Sequence, residues 1–563
     1  MRQVAFALIG LFIGISTIAQ NNIYVSVFGD NSWNGITTAT PVRDVQFAIN
    51  ISQPGDTINI YGGIYYEYLE VTHDQLTIRQ ASIWDEVIIE PSTGDIVENA
   101  LLLIDGKFDI TIDGIIFANH MYNYAQGIYV RGLSGEIAIR NCEVHDIHFS
   151  SDPNAAVNED TNAQAIIIEG TDIVPTTGIE ISNCEVYNCR LGYSEGIAIN
   201  GNVNQFLIHN NHVHDLTNIG IVAIGHEGVG PNASADQASY GEIKGNHVHD
   251  CLSPYATSGG IYVDGATYIS IDGNRCEHNG YGIEVGCEHA GKSASFVTVK
   301  NNIVSDNEVA GIALGGYDYP DNSGKIEYVE VRNNTFYKND FLEDYTGEFF
   351  ITYMENVEIS NNIFYLNDQG VWGYAENQGP GIWVHNNVIY QANNTVELDW
   401  FGTFTESFLE IGSVLALNAG GVYGDPLFVS AEAGDFHIMD GSSAIGMAYQ
   451  PTELQPGETD FYGEIRLVGL LDCGADEFGT SVSVGENPLP NEYSVYPNPA
   501  NDAVLVDVPM RGDKMRLYDA SGALVLDQQN LSAGVMRFEL NTFENGMYFL
   551  HVGNRVHKLI IEH

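Results

Sequence analysis

Asparagines recur at one position of a repeated pattern through the middle of the chain, and this recurrence constrains the fold most strongly. Each follows a short alternating apolar segment and precedes one variable and one apolar residue: Asn211, Asn246, Asn274, Asn302, Asn334, Asn362 and Asn387. The steps between them are 35, 28, 28, 32, 28 and 25 residues. An α-helix is excluded because the segments alternate with a period of two and are rich in β-branched and aromatic residues. An uneven repeat of this length predicts a solenoid with fixed core strands and variable loops.

Stacked side-chain amides can hydrogen-bond to each other along the axis of a solenoid, so one asparagine per turn satisfies its neighbours. Cys142 and Cys184 occupy the same position in the two preceding repeats, and the ladder is therefore expected to begin with thiols. The sequence predicts an all-β chain whose main part is a parallel β-helix.

The N-terminal part strengthens this prediction. Segments 23–41 and 45–67, with a helix expected near 43–52 and a turn from Gln53 to Thr57, resemble the N-terminal cap of the pectate-lyase-like superfamily of right-handed parallel β-helix proteins. Such a cap covers strand edges that would otherwise be unpaired. The resemblance extends over roughly residues 22–480 and implies the fold. It does not imply one reaction, since this fold hosts lyases, hydrolases, epimerases and non-catalytic binders.

Both ends of the chain carry export signals. Residues 1–19 combine Arg2, an apolar run and a small-residue exit before Gln20, as in a signal peptide. The apolar run is too short to span a bilayer, so no transmembrane segment is expected in the mature chain. Near the other end, VYPNP at 495–499, GMYFL at 546–550 and the terminal HKLIIEH resemble the type A C-terminal sorting domain of type IX secretion substrates. The resemblance implies type IX secretion machinery as a partner and an extracellular or cell-surface location.

These motifs divide the chain into four parts. We predict a signal peptide (1–19), a right-handed parallel β-helix with its N-terminal cap (20–478), a linker (479–491) and a small β-sandwich sorting domain (492–563). The linker has no apolar periodicity and contains glycine and proline.

Composition limits the possible partners. The formal net charge is −53, with 74 acidic and 21 basic residues, so we expect no binding to nucleic acid. Some of the carboxylates could bind calcium. We also expect the protein to be a monomer. The seven cysteines form no CxxC pair and are interpreted mainly as buried thiols, with a Cys184–Cys189 or Cys251–Cys276 disulfide as the alternative.

Candidate site residues come from a second strand pattern, Gly-Ile-x-apolar-x, that recurs between the asparagines. Alternation directs Tyr262, Asp264 and Glu284 outward on adjacent rungs. Asp264 and Glu284 are then diagonal neighbours, roughly 8 Å apart. The loops after these strands add further polar groups beside the same rungs: His226, Glu227, Glu288, His289, Lys292, Tyr317 and Asp318.

The first functional hypothesis is a lyase that cleaves an acidic, uronate-containing polysaccharide by β-elimination. This reaction requires a base for a weakly acidic proton, and positive charge to neutralise the substrate carboxylate. Lys292, His289 or His226 is the candidate base, and Tyr262 or Tyr281 is the candidate proton donor. Asp264, Glu284 and Glu288 are the candidate calcium ligands. The candidate substrate-binding residues are His226, Glu227, Asn200, Tyr281, Tyr317 and Arg275.

Two other hypotheses use the same surface. An inverting glycoside hydrolase or an epimerase would employ Asp264 and Glu284 as acid and base, because inverting enzymes separate their carboxyl groups by about 6.5–9.5 Å. A non-catalytic carbohydrate-binding protein would use Tyr262, Tyr317 and Tyr353 as stacking platforms.

Histidines form a separate pattern on another sheet. His145, His214 and His249 recur in Val-His-Asp motifs, and His212 and His247 accompany them. Imidazoles on consecutive rungs could hold zinc or copper. Tyrosine or serine occupies the equivalent position on other rungs, which favours a simple stack of flat side chains.

Overall fold

The computed structural model describes residues 21–92, 99–158, 160–449, 458–466 and 471–479, together with the strands of the C-terminal region from 495 to 561 and a few adjoining residues. The predicted signal peptide, and the predicted linker apart from Gly479, lie outside the described residues. The chain forms two compact units, one of residues 1–453 and 468–478 and the other of 454–467 and 479–563.

The first unit is a parallel β-helix, as predicted. Its described strands form one continuous sheet of 36 strands, which bends at corners into three faces, here called the first, second and third sheets. The first sheet contains Asn22–Val25, Thr57–Ile60, Leu76–Gln80, Phe108–Asp113, Gly135–Arg140, Thr176–Ser182, Val203–His209, Ser239–Lys244, Thr267–Asp272, Ser293–Lys300, Lys325–Arg332 and Ile382–His385.

The other two faces follow the same order along the axis. The second sheet contains Gly63–Tyr66, Val87–Glu90, Ile116–Ala118, Glu143–His145, His247–Cys251, Arg275–Glu277, Ile303–Ser305, Thr335–Tyr337, Ile363–Tyr365, Val388–Tyr390 and Val422–Tyr423. The third contains Leu69–Glu70, Ala100–Asp105, Ala125–Arg131, Ala163–Gly170, Gly259–Asp264, Tyr281–Gly286, Ala310–Leu314, Val371–Asn377 and Glu397–Trp400. Three long strands span two faces: Glu185–Gly201 and His212–Ile224 (second and third) and Phe349–Ser360 (third and first).

The N-terminal cap contains the predicted helix, Val45–Ile51. Its Val45, Ala48 and Ile49 are buried against the first turns. The Glu67 carboxylate accepts hydrogen bonds of 2.8 and 2.9 Å from the N–H groups of Val45 and Gln46. A carboxylate at this position satisfies free donors and suits the positive end of the helix dipole.

The predicted asparagine ladder lies at the corner between the first and second sheets. Each Nδ2 donates to the Oδ1 of the next asparagine at 2.9–3.2 Å, from Asn211 through Asn387 and on to Asn418. The preceding residue takes a left-handed conformation, with φ of 55° at Asn210 and 56° at Asn301. Asparagine tolerates this conformation better than most residues, so the Asn-Asn pairs of the sequence encode both the corner and the ladder.

A second ladder occupies the corner that leads into the third sheet. Asn279 donates to Asn307 at 3.2 Å, Asn307 to Asn339 at 2.7 Å, and Asn339 to the buried Glu348 carboxyl at 2.6 Å. The sequence analysis did not identify this ladder. Buried aliphatic side chains fill the space between the sheets. The seven cysteines are buried, and neither the Cys184–Cys189 nor the Cys251–Cys276 disulfide forms.

Irregular elements follow the last turns. Glu397–Trp400 pairs antiparallel with Thr403–Thr405, and Phe428–Ser430 with Asp435–Ile438. Phe408–Ser413 is helical, and Ala431–Ala433 is a 3₁₀ turn. The second unit contains two antiparallel sheets, as predicted for the sorting domain: Val495–Tyr496, Ala503–Val508 and Gly534–Glu539 in one, and Met515–Asp519, Leu524–Gln528, Gly546–Val552 and Arg555–Ile561 in the other. Val504, Leu517, Leu550 and Leu559 share one core between them.

Candidate functional site

The outward side chains of the third sheet have the predicted register but not the predicted exposure. Tyr262 lies opposite Glu284, and Asp264 opposite Gly286, so Asp264 and Glu284 are diagonal neighbours. Both Tyr262 and Asp264 are only 4% exposed. Tyr262 packs in an apolar cluster with Val222 and Ile224 on this outer face. The predictions that Asp264 is a surface residue and Tyr262 an open stacking platform are therefore wrong.

The loop at 225–238 covers this face. Gly225 N–H donates to the Asp264 carbonyl at 2.7 Å, and Ala238 N–H to the Ile224 carbonyl at 3.0 Å, so the loop leaves the sheet and returns to it. Within it, the buried Asp236 carboxylate accepts hydrogen bonds of 2.7 Å from two backbone N–H groups, those of Gly228 and Gly230. These bonds fix the segment that carries His226 and Glu227.

A second loop, at 287–292, joins the first one over the same rungs. Glu288 N–H donates to Asp264 Oδ1 at 2.8 Å. His289 Nε2 lies 3.0 Å from Glu227 Oε1. One ligand atom each from Glu227, Asp264 and His289 lies within 4.8 Å of the others. Two loops distant in sequence therefore converge on one strand end.

Carboxyl groups in this cluster hold their protons unusually strongly. Burial, and then the charge of Glu288, raises the pKa of Glu284 to about 8. Burial, followed by the charges of Glu288, Glu227 and Glu284, raises the pKa of Asp264 well above its usual value, although the Glu288 N–H opposes the shift. The pKa of Glu288, whose side chain is exposed, is raised as well, chiefly by partial burial of its carboxyl group.

Glu195 is a further member of the cluster that the sequence analysis did not identify. Burial, and then the charges of Glu227 and Glu288, raises its pKa to about 8. Glu195 lies where the pairing register between Glu185–Gly201 and His212–Ile224 shifts. The Ser-Glu pair immediately before the Gly-Ile pattern is the signal in the sequence that could have indicated it.

Glycines provide the space for the two side chains that face this region. A Cβ atom at Gly259 would lie 3.2 Å from Glu284 Cβ and 3.4 Å from Glu284 Oε2. A Cβ atom at Gly286 would lie 3.1 Å from the Tyr262 hydroxyl. The glycines of neighbouring rungs thus let Glu284 and Tyr262 lie flat along the sheet.

Three other predicted residues lie near the cluster. Lys292 is exposed, and its ammonium group makes no hydrogen bond or ion pair within the described part of the chain. Burial lowers the pKa of His226, and the charge of Lys292 lowers it further. Asn200 is buried on the third sheet, and its Oδ1 has no partner among the described residues.

Two predicted residues do not belong to the cluster. Arg275 lies on the second sheet, where its guanidinium donates to Glu277 at 2.9 Å and to the Gly434 carbonyl at 3.3 Å. The assignment of Arg275 to substrate binding beside Asp264 is therefore wrong. Arg275 directly follows the asparagine corner and lies on the second sheet, whereas the Gly-Ile strands lie on the third. Tyr317 is 67% exposed in the loop after Ala310–Leu314, with no described contact to the acidic residues.

An aromatic run continues from the cluster along the third sheet. Tyr281, whose pKa is raised by burial and then by Glu284, stacks on Phe350 with ring centroids 6.3 Å apart. Phe350 stacks on Tyr374 at 6.0 Å. The last two rings line a cavity of about 360 Å³, whose walls also include Asp344, Tyr345, Glu397, Asp399 and Phe404. The cavity thus lies on the same face as the acidic cluster, and Tyr281 lies between Phe350 and Glu284.

The predicted calcium ligands do not meet as a set. Within the described residues, Asp264 belongs to a possible metal group with Glu227 and His289. Glu284 and Glu288 are not members of that group. Calcium takes six to eight oxygen ligands. Two carboxylates and an imidazole, with one Asp264 oxygen already bound to a backbone N–H, are a poor fit for that ion.

Comparison with known proteins identifies the family. The description "Right handed beta helix region" matches residues 99–319 and 235–406, more than half of the chain. The uncharacterized protein YwoF of Bacillus subtilis (strain 168) is 30% identical over 442 residues, covering 75% of this chain and 92% of the relative. The chain belongs to this family of right-handed parallel β-helix proteins.

Several solved structures resemble this chain at low sequence identity. XylC in complex with xylose covers 92% of this chain and 100% of its own, at 10% identity and a TM-score of 0.44. Pectate lyase Pel9A covers 82% of this chain and 97% of its own, at 13% identity and 0.43. An exopolygalacturonase from Thermotoga maritima covers 62% and 86%, at 9% identity and 0.38. This likeness concerns the fold alone.

The C-terminal unit also has a family match. A secretion system C-terminal sorting domain matches residues 494–562. The protein is therefore a type IX secretion substrate, directed to the cell surface or the extracellular medium. Among the described residues, none of the helices has the length and apolar character needed to cross a bilayer.

Proposed function

We propose that this protein is a secreted enzyme that hydrolyses a polysaccharide on the outer face of the third sheet, with Glu284 as the general acid. The observation that carries the proposal is the pKa of Glu284, about 8, at a half-buried outward position of the third sheet. A carboxyl group that stays protonated at neutral pH can donate its proton to the departing glycosidic oxygen.

Hydrolysis requires a second carboxylate. Glu227 suits this role better than the predicted Asp264, because it is exposed and lies 3.0 Å from His289 Nε2, where it can activate a water molecule. Asp264 is buried and accepts the Glu288 N–H, so we assign it the task of positioning the loop. After burial, the charge of Glu288 raises the pKa of Glu284 and thereby helps to keep it protonated.

The surroundings indicate the class of substrate. Aromatic rings such as Tyr281, Phe350 and Tyr374 offer flat apolar surfaces to sugar rings. The cavity walls add the carboxylates of Asp344, Glu397 and Asp399, and the whole chain carries a formal charge of −53. Electrostatic repulsion from these groups favours a neutral glycan over the acidic polysaccharide expected from the sequence.

The lyase hypothesis remains the second candidate, and one observation favours it. Lys292 is an exposed cation beside the cluster, and its charge lowers the pKa of the half-buried His226. In this reaction Lys292 or His289 would remove the proton, and the remaining cations would neutralise a uronate carboxylate. Because the donor set suits calcium poorly, the positive charge would come from these side chains.

Digestion of neutral and acidic polysaccharides by the purified mature protein tests the proposal. Hydrolysis produces new reducing ends without an unsaturated product, and a chelator does not change the rate. We expect Glu284→Gln to lower kcat by about 10²–10⁴-fold, the usual contribution of a general acid, with a Tm that does not fall, because a neutral amide replaces a carboxyl group that is protonated in the folded state. Glu242→Gln, at an exposed glutamate of the first sheet, is the matched control and should retain full activity.

Each alternative outcome identifies a different function. Ultraviolet absorbance from unsaturated ends on a uronate polymer would show that the reaction is β-elimination and not hydrolysis. Tight binding of a glycan without any cleavage would identify a carbohydrate-binding protein. Full activity of Glu284→Gln would exclude Glu284 as the acid.

A further inference from the structure

Four histidines form a compact square on the outer face of the second sheet. His212 pairs in register with His247, and His214 with His249, on adjacent rungs. Across the diagonal, His212 Nε2 lies 2.8 Å from His249 Nε2. One ring nitrogen each of His212, His247 and His249 lies within 4.8 Å of the others. Three imidazoles thus direct nitrogen atoms toward one point.

Neighbouring carboxylates fix the orientation of these rings. His249 Nδ1 lies 2.7 Å from the Asp250 carboxylate, His212 Nδ1 lies 3.4 Å from that of Glu185, and His247 Nε2 lies 2.7 Å from that of Glu277. Contacts at Nδ1 leave the Nε2 atoms of His249 and His212 for a ligand, and the contact at Nε2 leaves the Nδ1 atom of His247. Metal-bound histidines use this arrangement, with a carboxylate behind the ring. In the Val-His-Asp motif the aspartate orients His249, whereas glutamates of the same sheet orient His212 and His247.

We propose that His212, His247 and His249 form a site for a divalent transition-metal ion of the zinc or copper(II) type. Imidazole nitrogen is a preferred ligand for both ions. With Zn–N bonds of about 2.0–2.1 Å, tetrahedral ligand nitrogens lie roughly 3.3 Å apart. The 2.8 Å separation of the two Nε2 atoms and the 4.8 Å limit for the group bracket this value. Small rotations of the side chains therefore suffice to bind an ion.

The site is open to solvent and separate from the acidic cluster. The side chains of His212 and His247 are 42% and 40% exposed, and that of His249 is 20% exposed. The ligands belong to two successive rungs of the second sheet, whereas the acidic cluster lies on the third. A bound ion would cross-link these two rungs, and it is expected to stabilise the β-helix without taking part in glycan cleavage.

Calorimetric titration of the untagged, metal-stripped mature protein with Zn²⁺ tests the site. We expect one ion per chain to bind tightly, and the dissociation constant to rise at least tenfold in His249→Gln and in His247→Gln. His145→Gln is the matched control, because His145 has the same motif and the same bond to the following aspartate (2.6 Å) but stacks on Tyr187. It should bind zinc as the unaltered protein does.

Two further measurements distinguish the alternatives. With Cu²⁺, electron paramagnetic resonance of the unaltered protein should show coupling to several nitrogens, which tests the site even if a variant fails to fold. His289→Gln should not alter zinc binding, since His289 belongs to the acidic cluster. Zinc affinity that is insensitive to His247 and His249, or a copper spectrum with oxygen ligands alone, would overturn the proposal.

Discussion

Asp264 accepts a hydrogen bond of 2.8 Å from the backbone N–H of Glu288. This bond connects strand Gly259–Asp264 to the loop that follows the next strand, Tyr281–Gly286. The loop holds His289 against Glu227. The buried Asp264 thus fixes the position of the loop, whereas Glu284 is half-buried and Glu227 is exposed.

Substitutions at Asp264 should therefore act through the loop. Asp264→Ala removes the acceptor of a backbone N–H and should lower the free energy of unfolding by about 1–3 kcal/mol. Asp264→Asn keeps an oxygen at the same place and should unfold nearly like the unaltered protein. Urea denaturation measures both. Equal stability of the alanine and asparagine variants would show that the hydrogen bond has no such role.

Stability should fall as the pH rises from about 5 to 8. Glu195 and Glu284 have folded-state pKa values of about 8, above the ordinary 4.5. Between these values the folded chain holds protons that the unfolded chain has released, so the free energy of unfolding decreases with pH. Each group contributes roughly 1 kcal/mol per pH unit.

Urea denaturation at several pH values measures this dependence. The double variant Glu195→Gln with Glu284→Gln should reduce the slope, whereas Glu242→Gln on the first sheet should leave it unchanged. An identical slope in the double variant would show that neither carboxyl group is protonated in the folded state at neutral pH.

The asparagine ladder should contribute strongly to stability. Asn302 accepts from Asn274 at 3.0 Å and donates to Asn334 at 2.9 Å and to the Ile271 carbonyl at 3.0 Å, with all these groups buried. Asn302→Leu leaves buried partners unsatisfied, at about 1–3 kcal/mol each. We expect a loss of a few kcal/mol, measured by thermal or chemical unfolding. Asn154→Leu, at an exposed loop position, is the control and should cost less than about 0.5 kcal/mol.

The fold could be predicted from the sequence because its determinants are local and repeated. Each Asn-Asn pair supplies one left-handed corner residue and one ladder residue, as at Asn301 and Asn302. The second ladder was harder to identify, because Asn279, Asn307 and Asn339 occur in dissimilar sequences and the ladder ends on Glu348.

The site could be predicted only in part, because loops rather than strands complete it. Alternation correctly gave the register of Asp264 and Glu284. Two loops contact Asp264, through the N–H groups of Gly225 and Glu288. Asp236 stabilises the 225–238 loop through two hydrogen bonds that no periodic pattern indicates. Glu195 was not predicted as a site residue, because the register shift next to it interrupts the alternation of side chains.

The C-terminal unit should be needed for export but not for folding of the β-helix. A chain lacking residues 493–563 loses the sorting domain matched at 494–562, while the β-helix core consists of residues before this region. We expect the truncated protein to accumulate in the periplasm with an unchanged Tm of the β-helix. Fractionation and immunoblotting measure its location, and normal surface delivery would contradict the sorting assignment.

The aromatic run on the third sheet should determine affinity for long substrates. Tyr374→Ala removes a ring that stacks on Phe350 and lines the cavity. Because a sugar ring packed on an aromatic ring removes apolar surface from water, we expect KM for a long glycan to rise roughly tenfold. The value of kcat should change little, since the ring is remote from Glu284.

The matched control for this prediction lies on another face. The first sheet carries its own exposed row of stacked rings, in which Phe296 and Tyr328 have centroids 4.9 Å apart. If glycan runs along the third sheet, Tyr328→Ala leaves KM unchanged, because that row faces away from the acidic cluster. The opposite result, a raised KM for Tyr328→Ala and an unaltered one for Tyr374→Ala, would move the substrate to the first sheet and separate it from Glu284.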